Sequence, residues 1–192
     1  ENMRRFGLPV VVAINNFPTD TEAEIAFIKE RALAAGATDA CVSRVFAEGG
    51  AGGAELAEAV ARACAQPSDF RFLYPDEMSI ADKIETIATK IYGADGVSFT
   101  PLAKERMAQF TAWGLAHLPI CMAKTHLSLS HDPALKGRPT GFTVPIRDIR
   151  PAAGAGFLYP LAGEMATMPA LPADPAGAHI DIDAEGNVVG LF

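Results

Sequence analysis

The sequence predicts an α/β fold in two parts, an open parallel sheet followed by an α+β domain. Two consecutive units of strand, loop and helix occupy residues 1–66, an order typical of open α/β sheets. After Pro67 the order changes, and a pair of helices precedes a run of strands. The 192 residues, 49% of them hydrophobic, suffice for one compact domain or two small ones. We therefore predict two domains, 1–66 and 67–192.

The first unit begins with a β-branched run at residues 8–14, which predicts a strand buried on both faces of a parallel sheet. A loop rich in turn-forming residues follows at 15–20. Thr21 and Glu24 have the spacing of a capping box, so a helix is expected to start there. Gly36 can supply the left-handed conformation that ends it.

The second unit repeats this order. A strand is predicted at 40–46, a glycine-rich loop at 47–53, and then a helix that Pro67 stops. Ligands of open α/β sheets bind beyond the carboxyl ends of the strands. We therefore expect residues 15–20 and 46–53 to lie together at that edge.

The second domain is predicted to contain two helices, one capped by Ser79 and one opened by Thr100 and Pro101. Its remainder is predicted as strands that form an antiparallel or mixed sheet, with a hairpin turn near the end. The expected strands are 118–124, 142–146 and 156–161, and the turn is 184–187.

Composition argues against several classes of partner. The net charge of −7 offers no basic excess for binding nucleic acid. No apolar run approaches the roughly 18 residues of a membrane span, and no signal peptide is recognisable.

Cys41, Cys64 and Cys121 lack CxxC spacing, which favours reduced thiols in the cytoplasm. The chain lacks an initiator Met, so Glu1 is not expected to be the natural start.

Basic side chains are concentrated at 117–150, with five Lys or Arg against two Asp, whereas 151–192 has five acids and no Lys or Arg. These charges can simply pair or be solvated. Alternatively, the basic segment can hold a small anionic ligand. Its cations are Lys124, Lys136, Arg138, Arg147 and Arg150.

Two aromatic residues occupy equivalent places in the two units. Phe17 and Phe46 each come at the end of a predicted strand, so both rings can project from one edge of the sheet. Two such rings can sandwich a planar heterocycle. The alternative is that each ring packs in the core.

The glycine loop after Phe46 also has two explanations. Closely spaced glycines let backbone N–H groups approach a ligand at the start of a helix, or they allow a tight turn from strand to helix. The pattern GxxxxGK[ST] of a Walker A loop is absent. The glycines are Gly49, Gly50, Gly52 and Gly53.

Metal-binding patterns are not convincing. Asp181, Asp183 and Glu185 imitate a calcium loop, but the twelfth position is Phe192, so a hairpin is expected instead. The histidines lack metal-ligand spacing. Residues 128–132 form a polar loop that is either structural or holds the polar tail of a ligand. No metal site is predicted.

Short motifs along the whole chain provide a more specific signal. They are 15–21 (NNFPTDT), 48–53 (EGGAGG), 91–97 (IYGADGV), 118–125 (LPICMAKT), 137–139 (GRP), 167–172 (TMPALP), 181–183 (DID) and 190–192 (GLF). In this order they resemble the C-terminal portion of formate–tetrahydrofolate ligase, or 10-formyltetrahydrofolate synthetase. That family is longer and carries a P-loop near its beginning, so the resemblance implies that residues 1–66 end a P-loop-type parallel-sheet domain.

The resemblance implies an ATP-dependent ligase of one-carbon metabolism. Formate would be phosphorylated to formyl phosphate, which then formylates N10 of tetrahydrofolate. The implied substrates are formate, ATP with Mg²⁺ and tetrahydrofolate, and the full-length enzyme is expected to be a cytoplasmic homo-oligomer. No catalytic residue is assigned to this chain, because it lacks the P-loop and is expected to be catalytically incomplete alone.

The resemblance also implies site residues. The folate-binding set is Phe17, Pro18, Thr19, Asp20 and Phe46. The nucleotide-binding set is Asn15, Ala47, Glu48, Gly49, Gly50, Gly52 and Gly53. The chain departs from the family where Phe46 replaces a frequent Trp, Glu48 a frequent Lys and His131 a usual acid. Stacking is expected to survive the first change, while the second removes a cation.

Two other functions remain open at this point. The chain can be a pterin- or nucleotide-binding module without catalysis. It can also be a structural and oligomerisation region, with the apolar run 165–171 as a contact surface.

Overall fold

The computed structural model describes residues 1–163 and 174–190. The run 165–171 and the motif 167–172 lie outside the described residues, as do the last two residues of the motif 190–192. The chain divides into two compact units, Glu1–Pro75 and Asp76–Phe192. Helices and strands alternate in a mixed α/β fold with parallel and mixed sheets, as the sequence predicts.

The first unit is built around a two-stranded parallel sheet with helices between and after its strands. Its elements are β1 (Val11–Asn15), α1 (Glu22–Ala34), β2 (Asp39–Ser43), the short α2 (Val45–Glu48) and α3 (Ala54–Cys64), with 3₁₀ turns at Asn2–Phe6 and Gly49–Gly53. The strands pair in register from Val11 with Asp39 to Asn15 with Ser43.

The start of α1 confirms the predicted capping box. The Thr21 hydroxyl accepts the Glu24 backbone N–H at 3.3 Å, and the Glu24 carboxylate accepts the Thr21 backbone N–H at 2.8 Å. The Thr21 backbone N–H and the Thr21 hydroxyl both donate to the Glu24 carboxylate and lower the pKa of that carboxyl. After the helix, Gly36 adopts φ +93°, a left-handed conformation that residues with a side chain rarely adopt.

Both strands of this sheet differ from their predicted limits. The first begins at Val11 instead of residue 8, since Pro9 has no N–H to donate to a ladder. The second ends at Ser43, and the predicted extension to Phe46 is wrong. The Arg44 carbonyl accepts the N–H groups of Ala47 and Glu48, which winds this stretch into the single turn of α2.

The second unit places helices beside a three-stranded mixed sheet. Its elements are α4 (Ile80–Ile87), a π-helical turn (Ala88–Tyr92), β3 (Gly96–Phe99), α5 (Pro101–Ala112), β4 (Thr143–Ala152), β5 (Phe157–Ala162), a 3₁₀ turn (Ala176–Ala178), β6 (Asp181–Ile182) and β7 (Val188–Val189). The sheet order is β3-β4-β5, with β3 parallel and β5 antiparallel to β4. The predicted terminal hairpin is confirmed as β6 and β7.

Local capping residues again define the helices. The hydroxyls of Ser79 and Thr100 each accept a backbone N–H at 3.1 Å, from Asp82 and Ala103 respectively. The helices bury their apolar sides against the sheet. This core includes Ile80, Ile84, Phe110, Val144, Ile146, Ile149 and Leu158.

The predicted strand at 118–124 is not a continuous strand. Ile120 and Ala123 instead form isolated bridges to Leu158 and Leu161 of β5. Pro160 lies in β5 between those two partners and has no N–H, which interrupts a regular ladder there. The short β3 was not predicted. Among the described residues, none of the helices has the length and apolar character needed to cross a membrane.

Candidate functional site

The carboxyl ends of β1 and β2 bring the two predicted ligand loops to one edge of the sheet. Asn15 pairs with Ser43, and the Asn16 N–H donates to the Ser43 carbonyl at 3.1 Å. The chain leaves β1 and β2 directly after these residues. The register therefore places the starts of 16–20 and 44–53 side by side, which is where open α/β sheets bind ligands.

The loop after β1 is closed by Asp20. Its carboxylate oxygen Oδ2 accepts the backbone N–H of Phe17 at 2.7 Å and the side-chain amide of Asn16 at 3.4 Å. In return, the Asp20 N–H donates to the Phe17 carbonyl at 3.0 Å. Pro18 occupies the second position of the resulting β-turn, for which its fixed φ is suited. The turn therefore has a defined backbone conformation although Phe17 to Asp20 are exposed.

The two aromatic rings are exposed instead of packed in the core. Phe17 is 58% exposed and Phe46 is 95% exposed. Phe46 lies on α2, after the strand and not at its end. Phenylalanine is normally buried, and removing these rings from water requires a further surface. The observed exposure fits stacking on a flat ligand and not the alternative of core packing within this unit.

The glycines of the loop differ in whether the local structure has room for a side chain. A Cβ at Gly52 would come within 2.6 Å of the main chain of Arg44, and a Cβ at Gly53 within 2.9 Å of the Val45 side chain. Gly49 adopts φ +61°, which disfavours a side chain. Gly50 has open space around its Cα and does not have a positive φ. The tight turn thus explains three glycines and leaves Gly50 unexplained.

The remaining predicted nucleotide residues lie on the same edge. Asn15 ends β1, Ala47 and Glu48 belong to α2, and all three are exposed. The Arg44 N–H donates to the Gly52 carbonyl at 3.0 Å and closes the loop. The structure thus places every predicted site residue at the carboxyl end of β1 or in the segments that follow β1 and β2.

Comparison with known proteins identifies the family. The sequence profile described as formate–tetrahydrofolate ligase matches residues 1–192. The chain belongs to the formate–tetrahydrofolate ligase family. The resemblance seen in its motifs is thereby confirmed.

Relatives show how much of a ligase this chain represents. It is 59% identical over 187 residues to a formate–tetrahydrofolate ligase of Desulforamulus reducens, covering 97% of this chain and 33% of that protein. It is 60% identical over 188 residues to the ligase of Roseiflexus castenholzii, covering 98% and 33%. It is 57% identical over 191 residues to "C-1-tetrahydrofolate synthase, cytoplasmic" of Schizosaccharomyces pombe, covering 99% and 20%. The chain therefore spans about a third of the bacterial ligases and a fifth of the yeast protein.

In this ligase-family chain, two cations of the basic segment 117–150 are held by the protein itself. Lys124 Nζ donates to the Thr125 carbonyl at 2.9 Å and to the Ser128 carbonyl, and it lies 5.0 Å from the centre of the Tyr92 ring. Burial lowers the pKa of the Lys124 ammonium. Arg150 Nε lies 3.3 Å from Asp148 Oδ2. These contacts favour internal pairing over the alternative of an anion site.

The polar loop 128–132 of the ligase-family chain is closed on itself. Ser128 and Ser130 share a hydroxyl hydrogen bond of 2.8 Å, and the Ser130 hydroxyl accepts the Asp132 N–H at 3.1 Å. His131 Nδ1 is buried and has no hydrogen-bond partner within the described part of the chain. The serine contacts support the structural explanation of this loop.

Two further features of the ligase-family chain, a buried lysine and a cavity, were not indicated by the sequence. Lys83 is fully buried, with Nζ donating to the carbonyls of Ala116 at 2.8 Å and Leu118 at 3.1 Å. A cavity of about 350 Å³ lies near the amino end of β1, lined by Leu8, Pro9, Val11, Val60, Ala63, Cys64, Gln66 and Ser68. The apolar stripe of α4 does not indicate which of the polar residues of the helix is buried, so Lys83 could not be recognised from the sequence. The cavity is formed by the packing of α3, which the sequence pattern does not specify.

Proposed function

We propose that this chain supplies the folate- and adenine-binding edge of a formate–tetrahydrofolate ligase. The reaction would begin with a formate oxygen attacking the γ-phosphorus of ATP, which releases ADP and forms formyl phosphate. N10 of tetrahydrofolate would then attack the formyl carbon and release phosphate. The products are 10-formyltetrahydrofolate, ADP and phosphate.

The exposure of Phe46 is the observation that carries this proposal. A ring 95% exposed, on the loop edge that also presents Phe17, has no role in the core of this unit. Flat aromatic rings stack favourably on heterocycles, and the pterin ring of tetrahydrofolate provides such a surface. We assign the folate to Phe17, Pro18, Thr19 and Phe46, with Asp20 at the base of the turn.

The nucleotide would lie along the glycine loop. Gly50 allows close approach without serving the turn, and the exposed Asn15 amide can read the edge of the adenine. Ala47, Glu48, Gly49, Gly52 and Gly53 complete this surface. Because Glu48 carries a negative charge, we expect it to face the base and not the phosphates.

The chemical step would require groups beyond those of this chain. A phosphate cradle of the form GxxxxGK[ST] is absent from the sequence. Among the described residues, no three His, Cys, Asp or Glu side chains come together to hold a metal ion. We assign Mg²⁺ to the phosphates of bound ATP. We infer that residues 1–66 end a P-loop-type domain, that 67–192 form the α+β domain, and that the complete ligase is a cytoplasmic homo-oligomer.

Calorimetry tests the binding part of the proposal. Titration of residues 1–192 with tetrahydrofolate is expected to show binding that Phe17→Ala and Phe46→Ala each weaken. Phe27→Ala is the matched control, because Phe27 is 62% exposed on α1, away from the loop edge. Equal affinities of all three variants would contradict the assigned folate surface.

A chimera tests the catalytic part. This chain would replace the matching third of the Desulforamulus reducens ligase, and ADP release would be followed with formate and tetrahydrofolate present or omitted. We expect turnover in the folded chimera and none from residues 1–192 alone. Turnover by residues 1–192 alone would contradict the proposal that this chain is catalytically incomplete. Binding without turnover in a folded chimera would favour a binding module.

A further inference from the structure

The contacts of Asp20 separate this residue from the others in the folate loop. Its carboxylate oxygen Oδ2 accepts the Phe17 N–H at 2.7 Å and approaches the Asn16 amide at 3.4 Å. The Asn16 amide also donates to the Phe17 carbonyl at 3.1 Å, as does the Asp20 N–H at 3.0 Å. Both main-chain polar groups of Phe17 are therefore bound by Asn16 and Asp20.

These contacts matter because more than half of the Phe17 surface is exposed. Its side chain is 58% exposed, on a loop that follows the last residue of β1. An exposed aromatic that is free to move loses conformational freedom when it stacks on a ligand, which weakens binding. Fixing its backbone in advance reduces that loss. A charged acceptor gives a stronger hydrogen bond to the N–H than a neutral one.

We propose that Asp20 is a positioning residue, which acts on folate affinity through Phe17 and not by contact with the ligand. This inference rests on the proposed function, since it takes the Phe17 ring as a folate-stacking surface. Asn16 supports the same turn, because its side-chain amide donates to the Phe17 carbonyl and to the Asp20 carboxylate. Thr21 and Glu24 begin α1 directly afterwards, so the turn is joined to a capped helix.

Substitution at position 20 distinguishes positioning from direct contact. Asp20→Ala removes the acceptor and is expected to weaken tetrahydrofolate binding about 10-fold, the scale of one charge-assisted hydrogen bond. Asp20→Asn keeps an oxygen for the Phe17 N–H and is expected to stay within about 3-fold of the original affinity. If the Asp20 carboxylate instead bound the ligand through its negative charge, both substitutions would remove that charge and would weaken tetrahydrofolate binding equally.

A second measurement asks whether the effect passes through the ring. In a Phe17→Ala background, Asp20→Ala is expected to cause no further loss, because the positioned group is absent. In the chimera, Asp20→Ala should raise the KM for tetrahydrofolate and leave the KM for ATP and kcat unchanged. Glu22→Ala, an exposed carboxylate two residues away in α1, is the matched control and should change none of these values.

The outcomes separate this inference from the proposed function. If the original chain binds tetrahydrofolate and Phe17→Ala weakens binding, equal losses for Asp20→Ala and Asp20→Asn overturn the positioning role alone. Additive losses in the double variant do the same. If the original chain fails to bind tetrahydrofolate, or Phe17→Ala leaves binding unchanged, the folate site and this inference are both overturned. Thermal unfolding of each variant identifies any loss due to misfolding, and Asp20→Asn retains the turn.

Discussion

Gly52 lies directly against the main chain of Arg44. A Cβ at Gly52 would come within 2.6 Å of the Arg44 carbonyl carbon and oxygen, and the Gly52 carbonyl accepts the Arg44 N–H at 3.0 Å. Arg44 directly follows β2. The contact therefore holds the glycine loop against the end of this strand and sets where Phe46 and Glu48 are presented.

Alanine is expected to have different consequences for stability at Gly52 and at Gly50. Gly52→Ala forces the loop away from Arg44 and should lower the free energy of unfolding by about 1–3 kcal/mol. Gly50→Ala meets open space and should leave it within about 0.5 kcal/mol or raise it slightly. Urea denaturation followed by circular dichroism measures both. Equal losses for the two variants would contradict the difference in local packing.

Phe46 is expected to matter for binding and not for stability. Because its ring is 95% exposed, Phe46→Ala should change the free energy of unfolding by less than about 0.5 kcal/mol. Leu158→Ala, at a fully buried position of β5, should cost about 2–5 kcal/mol in the same denaturation experiment. A comparable loss for Phe46→Ala would show that the ring packs within the fold.

The elements that local chemistry determines were predictable from the sequence. Thr21, Ser79 and Thr100 each satisfy N–H groups at a helix start, and this requires only residues three positions away. The place of the two loops was also predictable, because consecutive parallel strands end at the same edge. Two of the family motifs, 15–21 and 48–53, lie on those loops.

Features that depend on distant partners could not be predicted. The strand β3 exists because it pairs with β4, more than 40 residues later in the chain, and its four residues carry no distinct pattern. Phe46 follows a run of residues typical of a strand, yet hydrogen bonds to the Arg44 carbonyl form the helical turn of α2 there. The motif at 15–21 shows Asp20 as a conspicuous polar residue, but only the folded turn shows that its carboxylate faces the Phe17 N–H.

The buried Lys83 is expected to stabilise the second unit through its hydrogen bonds. Its ammonium donates to the Ala116 and Leu118 carbonyls, and Lys83→Met would leave both acceptors without this donor. We expect the free energy of unfolding to fall by about 1–3 kcal/mol. Lys90→Met is the matched control, because Lys90 is exposed in the turn after α4. Unchanged stability in Lys83→Met would contradict the role of these bonds.

The contribution of Lys83 is also expected to depend on pH. Burial lowers its pKa below 10.5, although Asp76 and Glu77 act in the opposite direction. Between the lowered pKa and 10.5 the unfolded chain binds more protons than the folded one, so stability rises with pH. The difference in unfolding free energy between the original chain and Lys83→Met should therefore grow as the pH rises toward 10.5. A constant difference would contradict the lowered pKa.

Tyr92 is expected to produce the opposite dependence at higher pH. Burial, with a smaller contribution from Cys121, raises the pKa of its phenol from 10.0 to about 12. Between these values the unfolded chain loses a proton that the folded chain keeps, so the stabilisation is complete below pH 10 and is lost as pH rises through 12. Relative to Tyr92→Phe, the original chain should lose up to about 1.4 kcal/mol of unfolding free energy per pH unit in this range. Urea denaturation between pH 9.5 and 11.5 measures this loss, and parallel pH profiles for the two proteins would show that Tyr92 ionises normally.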